Sequence, residues 1–274
     1  MLQEHQLQFF AAYIKKELGI IYDKSNFFQL AVRITEISKA LGFENEEKFH
    51  LAAQQGISGH MKQILLDTAT NNETSFFRDP KIFTAIEKHV VTALRAQNAG
   101  MRLIRVWSAA SSFGQEPYSL AMCFAEMASK DPGMPRVEIQ TTDASERALL
   151  RSKEGRYSQL EVQRGMPAAM LVKYFNKTPD NYWVVKPDLK LSVQVSRLNL
   201  LEPYIHMGTF DLILCRNVLI YQTEEKKKDV LDRMADRLTP NGYLFLGASE
   251  SMMGLSERFH QHYKDGVIFF QRKV

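Results

Sequence analysis

Cysteine is scarce in this chain: Cys123 and Cys215 are the only two among 274 residues. Both stand in apolar surroundings that read as helix and strand, which excludes a disulfide framework and a thiolate metal site. No apolar run approaches the ~20 residues that a membrane-crossing helix needs. A signal-peptide pattern is missing too, because Met1 to His5 is polar and Phe9 to Ile21 is interrupted by Lys15, Lys16 and Glu17. A cytoplasmic location without direct membrane insertion is the expectation. The formal net charge is only +4 and is scattered, which is weak ground for a nucleic-acid partner and better ground for acidic ones. The densest basic run, Lys226-Lys227-Lys228, precedes Val230, Leu231, Met234 and Leu238 at helical spacing and reads as a solvated face. No internal repeat or low-complexity tract is visible. The dinucleotide fingerprint G-x-G-x-x-G is also absent, since the turn best placed to carry it has one glycine, Gly114.

What the chain does have is a hydrophobic content of 45%, enough to bury a real core, and a length that suits one large domain plus a smaller one. Its most informative segment runs from Val106 to Met122, where an apolar strand passes through small residues straight into a helix. Small residues let a backbone approach a ligand at the carboxyl end of a strand. Pro117 suits the first helical position, where its missing N–H is no loss, and this puts Glu116 at the N-cap, facing the pocket. An ordinary strand-to-helix turn would read the same way.

From Leu2 to about Asp79 the pattern is helical, with apolar spacing in Phe9–Ile20, Phe28–Leu41 and Met61–Leu66. This predicts a helical N-terminal domain over 1–79. A linking helix is expected around Pro80–Gln97. Strands and helices then alternate over 80–274: Arg102–Ala109, Pro117–Ser129, Val137–Thr142, Glu146–Glu154, Leu191–Asn199, Phe210–Cys215, Glu224–Leu238 and Gly242–Gly247. Alternation of this kind implies a mostly parallel sheet covered by helices. A long insert, at about 158–196, separates the helix ending near Tyr157 from the next strand. Within it Tyr182–Val185 and Leu189–Val195 read as short antiparallel strands of a small β subdomain. After Gly247 a short helical piece, a strand at His260–Tyr263 and another at Val267–Gln271 form a close with no crossover helix. A sheet finished by an antiparallel pair is the habit of S-adenosylmethionine-dependent methyltransferases rather than of dehydrogenases.

Several polar residues fall at strand ends. Asp143 closes the second strand, where an acidic side chain can accept from both ribose hydroxyls of a nucleoside, or simply cap the next helix. Phe210–Cys215 turns polar at Arg216 and Asn217, which makes both pocket candidates. Asn199 closes the third strand in the same way, although alone it reads as a turn residue. The run Asn71-Asn72-Glu73-Thr74-Ser75-Phe76-Phe77-Arg78-Asp79 sits at the junction of the two domains. Its plain alternative is a helix start capped by Thr74 or Asn72, with Phe76 and Phe77 in the core.

Together these segments closely resemble the CheR family of chemotaxis receptor methyltransferases. The matches are NNETSFFRD, VWSAASSFGQEPYSLAM, TTDAS, LNLL at Leu198–Leu201, FDLILCRNVLIYQ and LTPNGYLFLGASES, in the family's order and spacing from about Leu7 to Gln271. The resemblance implies a class I S-adenosylmethionine-dependent, Rossmann-like α/β domain with an antiparallel last strand, a helical N-terminal domain and an inserted β subdomain. It implies methyl transfer to the γ-carboxylate of glutamates on the cytoplasmic signalling helices of methyl-accepting chemotaxis receptors, with S-adenosylhomocysteine as coproduct, no metal and a monomeric enzyme. Carried over by position, Asn72, Thr74 and Arg78 face the cofactor from the junction, Glu116 meets its methionyl end and Asp143 its ribose. Asn199, Leu200, Asn217 and Val218 surround its adenine, and Arg78 and Tyr221 assist transfer. A glutamate with pKa ~4.3 is already ionised at neutral pH and needs no general base, so the enzyme's task is positioning.

Some residues depart from the family. Many members have Cys at Ser111 and Thr at Phe113, and neither change removes a charged contact. The helix Phe28–Leu41 is often arginine-rich in relatives, where it is proposed to touch the receptor. Here it keeps only Arg33 and Lys39 as basic residues, with Glu36 between them. The loop around Lys177–Tyr182 is shorter than in relatives that tether to a receptor's C-terminal pentapeptide, which points to a pentapeptide-independent enzyme. Two other classes fit less well. Amino-directed DNA methyltransferases carry an Asn/Asp-Pro-Pro-aromatic run where this chain has Arg216-Asn217-Val218-Leu219, and cytosine-C5 enzymes need a reactive cysteine. A non-catalytic binding module would have been expected to lose at least one of Arg78, Glu116, Asp143 and Tyr221.

Overall fold

The computed structural model describes residues 2–97 and 100–274; Met1, at the head of the expected helical domain, and Asn98 and Ala99 lie outside the described residues. Helices α1 (Glu4–Leu18), α2 (Phe27–Ala40), α3 (Glu46–Gln55) and α4 (Gly59–Ala69) open the chain. Apolar stripes such as Phe10, Ile14 and Leu18 on α1 and Leu30, Ile34 and Ile37 on α2 meet in a core of their own. The stripe of α3 is too short to stand out in the sequence; the helix is fixed by Asn45, whose side chain accepts from the Lys48 N–H at 2.9 Å. Arg33 closes the end of α4, donating to the carbonyls of Ala69 and, at 3.2 Å, Thr68. The helical pattern stops there, since residues 70–79 contain no helix.

The expected linking helix is continuous but not uniform. It consists of α5 (Pro80–Ala85), a π-helical stretch at Ile86–Val91 and α6 (Thr92–Gln97). Then come β1 (Leu103–Ala109), α7 (Gln115–Lys130), β2 (Arg136–Asp143) and α8 (Glu146–Glu154). The insert supplies β3 (Arg156–Ser158), α9 (Gln159–Gln163), α10 (Ala168–Tyr174), β4 (Phe175–Lys177), β5 (Tyr182–Val185) and α11 (Pro187–Leu191). The chain continues through β6 (Val193–Arg197), β7 (Phe210–Cys215), α12 (Glu224–Arg237), β8 (Leu238–Leu246), β9 (Phe259–Lys264) and β10 (Val267–Arg272).

The main sheet runs β6-β2-β1-β7-β8-β10-β9. Strands β6 to β8 are parallel, while β10 is antiparallel to both β8 and β9. Strand alternation divides its side chains between two cores. Val106, Leu212, Leu214 and Phe245 face the linking helix, α7 and the insert, whereas Trp107, Ile213, Cys215 and Leu244 face α12.

The insert departs from the sequence reading. Its sheet is ordered β3-β5-β4, so the partners of Tyr182–Val185 are Arg156–Ser158 and Phe175–Lys177 rather than Leu189–Val195. Pro187 starts a helix at its first turn, and the residues after it join the main sheet beside β2. Three smaller differences have similar causes. The helix expected to end near Tyr157 stops at Glu154, because Gly155 takes the left-handed cap. Leu238 leaves the α12 stripe to begin β8. The piece after Gly247 forms turns, not a helix.

The insert also grips the junction. Phe76 is fully buried with its ring 4.9 Å from Tyr157 and 5.7 Å from Phe175, both edge-to-face. Gly165, at φ 93°, lies so close to the Phe76 carbonyl that any side chain there would collide with it.

Candidate active site

The carboxyl ends of β1, β2, β6 and β7 open on one cleft. It lies where the chain leaves β1 toward β2 on one side and β7 toward β8 on the other, the reversal at which open α/β sheets bind ligands. Leu18 and Ile20 at the end of α1, with residues 70–74 and Arg78 of the junction, wall it from the helical side.

The floor is the turn after β1. Helix α7 starts at Gln115 with Gly114 as its N-cap, so Glu116 is the second helical residue rather than the cap, and Pro117 the third. No N–H of the first turn has a partner inside the helix, which is why proline is tolerated there as well as at the first position. Gly114 has φ 93°, and a Cβ on it would stand 2.5 Å from Ser152 Oγ. Ala110 and Ser112 are also left-handed, at φ 52° and 55°, a conformation that costs ~1–2 kcal/mol per residue. Hydrogen bonds hold them there: the Ser111 N–H donates to the Thr142 carbonyl at 3.0 Å and the Ser112 N–H to Asp143 Oδ2 at 2.8 Å.

Glu116 accepts from Ser108 Oγ at 2.8 Å and from Arg216 Nη1 at 2.7 Å. Arg216 also donates to Asp79 Oδ2 at 2.6 Å and to the Arg78 carbonyl at 2.9 Å. One buried guanidinium thus ties the end of β7 to the first turn of α7 and to the junction. Arg216 does line the cleft, as the sequence suggested, but its Nη donors point at protein acceptors. Asp143 takes the Ser145 N–H on Oδ1 at 2.9 Å and the Ser112 N–H on Oδ2 at 2.8 Å. Burial nevertheless pushes its pKa above the ordinary carboxylate value, so this carboxylate can use further donors.

Asn199 faces two ways: its Nδ2 donates to the Glu17 carbonyl at 2.6 Å and its Oδ1 accepts from the Leu201 N–H at 3.0 Å. It fastens the end of α1 to the end of β6, beside the buried Leu200. Asn217, left-handed at φ 60°, and Val218 lead into a 3₁₀ turn at Leu219–Tyr221. The Tyr221 hydroxyl accepts from Asn71 Nδ2 at 2.8 Å. Asn72 donates to Thr70 Oγ1 at 2.9 Å, and its carbonyl accepts from Ser112 Oγ at 2.8 Å. Arg78 donates to the Glu73 carbonyl at 3.3 Å and is flanked by left-handed Phe77 and Asp79. The capping alternative for Asn72 and Thr74 fails, because the next helix begins only at Pro80.

Asn72, Thr74, Arg78, Glu116, Asp143, Asn199, Leu200, Asn217, Val218 and Tyr221 all line this one cleft. Sequence reasoning missed Leu18, Ile20, Asn71 and Gln222, which line it too. Leu18 carries only the signal of a core residue, and nothing local shows that α1 reaches the sheet. Cys215 is fully buried, and burial raises its thiol well above the usual value, which leaves no nucleophile of the cytosine-C5 kind. Among the described residues no helix is long and apolar enough to cross a membrane, and no group of three or more His, Cys, Asp or Glu side chains could hold a metal ion.

The model of the family described as "CheR methyltransferase, SAM binding domain" matches residues 72–267. The chain belongs to the CheR family. It is 34% identical over 266 residues to "Chemotaxis protein methyltransferase Cher2" of Pseudomonas putida, covering 96% of each chain. It is 35% identical over 265 residues to "Chemotaxis protein methyltransferase 1" of Pseudomonas aeruginosa, again covering 96% of each. With "Chemotaxis protein methyltransferase" of Vibrio anguillarum it shares 34% over 270 residues, covering 98% of this chain and 97% of the relative. The fold class expected from the sequence holds: this CheR protein is a class I methyltransferase with a parallel sheet closed by antiparallel strands and a small antiparallel sheet in the insert.

The CheR cleft suits S-adenosylmethionine, whose two ends are an amino acid and a nucleoside. Ser111, Gln222 and Arg216 line it beside the carboxylates of Glu116 and Asp143, and each has a buried side-chain atom, Oγ, Oε1 and Nε respectively, without a hydrogen-bond partner among the described residues.

Proposed function

We propose that this CheR protein is a cytoplasmic, monomeric protein-glutamate O-methyltransferase that esterifies glutamate γ-carboxylates on the signalling helices of chemotaxis receptors during sensory adaptation. The observation that carries the reading is the meeting of all ten expected residues, from both the junction and four strand ends, in one cleft. When bound, S-adenosylmethionine supplies a methyl group activated by sulfonium. Glu116 is set to meet the cofactor's ammonium and Asp143 its ribose hydroxyls, while Leu200 and Val218 offer apolar surface to its adenine beside the amides of Asn199 and Asn217. Asn72 and Thr74 close the junction side. Arg78 orients the incoming carboxylate. Tyr221 receives the Asn71 amide hydrogen, which leaves its own hydroxyl proton to donate into the cleft.

The test is to incubate the protein with methyl-labelled S-adenosylmethionine and membranes bearing receptors. Label that is released as methanol by mild alkali is expected, because esters hydrolyse there. Alkali-stable label, or none on receptors, would overturn the substrate assignment. For the cofactor, Asp143→Asn keeps one acceptor for the backbone donors while removing the charge. It is expected to weaken S-adenosylhomocysteine binding about tenfold or more, since charge-assisted hydrogen bonds contribute ~1.5–3 kcal/mol each. An unaltered calorimetric affinity would remove Asp143 from the site.

Recruitment is proposed to be independent of a receptor pentapeptide. A peptide tether would add a strand to the outer edge of β4, but that edge is three residues long, with Phe175 turned into the core. Residues 178–181 form a tight turn closed by the Thr178 N–H on the Tyr182 carbonyl at 2.8 Å. Pro179 sits in this turn, so the short edge rather than the proline limits augmentation. A peptide ending in an aromatic-rich receptor tail is expected to show no calorimetric binding at tens of micromolar. Saturable binding that depends on residues 177–182 would refute independence. On α2, Arg33 is already committed to the end of α4, which supports docking without a basic α2 face.

A further inference from the structure

The loop that carries Asn217, Val218 and Tyr221 hangs from a single carboxylate that does not line the cleft. Glu250 Oε1 accepts the N–H groups of Val218 at 3.0 Å, Leu219 at 2.7 Å and Ile220 at 3.2 Å. Its Oε2 accepts those of Asn217 at 2.8 Å and Gly247 at 2.7 Å. The amides of residues 217–220 lie beyond the end of β7 and that of Gly247 beyond the end of β8, and backbone donors without an acceptor are costly when buried. A carboxylate is the one side chain that accepts on every lone pair and presents no donor to clash with them. Gly247 leaves the room: a Cβ there would lie 2.7 Å from Asn217 Nδ2 and 2.8 Å from both the Asn217 nitrogen and Glu250 Oε2.

We infer that Glu250 is the positioning residue of the methyl-transfer site, holding Asn217 and Val218 against the cofactor through their own backbone and Tyr221 through the 3₁₀ turn whose Leu219 and Ile220 amides it also takes. This rests on the cleft being the cofactor site, as proposed above. The loop follows a left-handed Asn217 and holds a single 3₁₀ turn, Leu219–Tyr221, so no strand or α-helix specifies its path, and Glu250 makes up for that by accepting five converging N–H groups. Glu250→Gln keeps the shape but exchanges one acceptor oxygen for an NH₂ that opposes the loop's amides.

The experiment compares Glu250→Gln with Asp232→Asn by calorimetric titration with S-adenosylhomocysteine, thermal unfolding and steady-state kinetics. Asp232 tethers the same 247–258 connection through Ser256 Oγ at 2.7 Å but does not touch the 217–220 amides, so it reports general loosening. Glu250→Gln is expected to weaken binding at least tenfold and to lower kcat as well, while Asp232→Asn shifts the unfolding midpoint with wild-type affinity. Wild-type affinity and kcat in Glu250→Gln would overturn the inference, and so would equal losses of affinity in both variants. If wild type itself fails to bind S-adenosylhomocysteine, the cofactor reading falls instead. Hydrogen exchange on the wild-type protein stands independently of how the variants fold: the amides of residues 217–220 should be protected without cofactor, and free exchange there would refute the role.

Discussion

Arg216→Met is expected to lower stability by about 3 kcal/mol, the lower end of the ~3–5 kcal/mol seen when one partner of a buried ion pair is removed. The Arg216 side chain is 2% exposed and Glu116 13%, whereas Asp79 is 40% exposed. Methionine fills most of the same volume, so the loss is not mainly one of packing. It comes from Glu116, a mostly buried carboxylate left, among the described residues, with the Ser108 hydroxyl as donor. Asp79 can turn to water, which is why the lower figure applies. In a chain of this size 1 kcal/mol moves the unfolding midpoint by roughly 2–4 °C, so a fall of several degrees should appear in a thermal scan. Adding Glu116→Gln should recover part of it, because the stranded charge is then gone. A single variant that melts with wild type would show that the ion-pair cluster contributes nothing to stability. Arg216→Lys should behave more like the methionine variant than like wild type, since an ammonium cannot span both carboxylates and the Arg78 carbonyl in one plane.

Arg78→Ala is expected to show the opposite profile, with turnover on receptor membranes lowered about 10²–10³-fold and stability nearly unchanged. Among the described residues its side chain makes one hydrogen bond of 3.3 Å, to the Glu73 carbonyl, so folding asks little of it. Its backbone, by contrast, is fixed on both sides by left-handed residues and by Arg216 on its carbonyl. A guanidinium held on so rigid a base can orient a carboxylate, and losing one preorganised charge or about 1 Å of placement costs ~10²–10³ in rate. The measurement is kcat with saturating S-adenosylmethionine, beside an unfolding midpoint. Wild-type turnover would remove Arg78 from the reaction.

Much of the main sheet could be read from the chain because β1, β2 and β7 each precede a helix-period segment. Glu146–Glu154 and Phe210–Cys215 carry their boundaries in local chemistry, a Ser145 cap with a Gly155 stop and a stretch that is apolar apart from Asp211 and ends at Arg216. The insert was less legible for the opposite reason. Its strands are three or four residues long, too few for alternation to show, and Pro187 converts an apolar run into a helix. In the site, residues at strand ends and in the junction motif stood out by type. The partners that hold them did not. Asn199 meets Glu17 across 182 positions and Arg216 meets Glu116 across 100, and no periodicity reports such separations. Glu250 lay within a recognised motif, yet its role depends on a loop thirty or so positions earlier.

The seating of Phe76 between Tyr157 and Phe175, with Gly165 pressed on its carbonyl, bears on how such enzymes diversify. A cassette exchanged between relatives at the borders of the insert would have to bring a matching aromatic socket and a glycine, or it would dislodge the segment that presents Arg78. The hairpin tip at Thr178–Asn181 carries no such obligation, because its hydrogen bonds close within the tip and, through Asp180, on Arg156 of the neighbouring β3. Lengthening or trimming that tip would therefore leave the seat of Phe76, and with it the segment that presents Arg78, undisturbed.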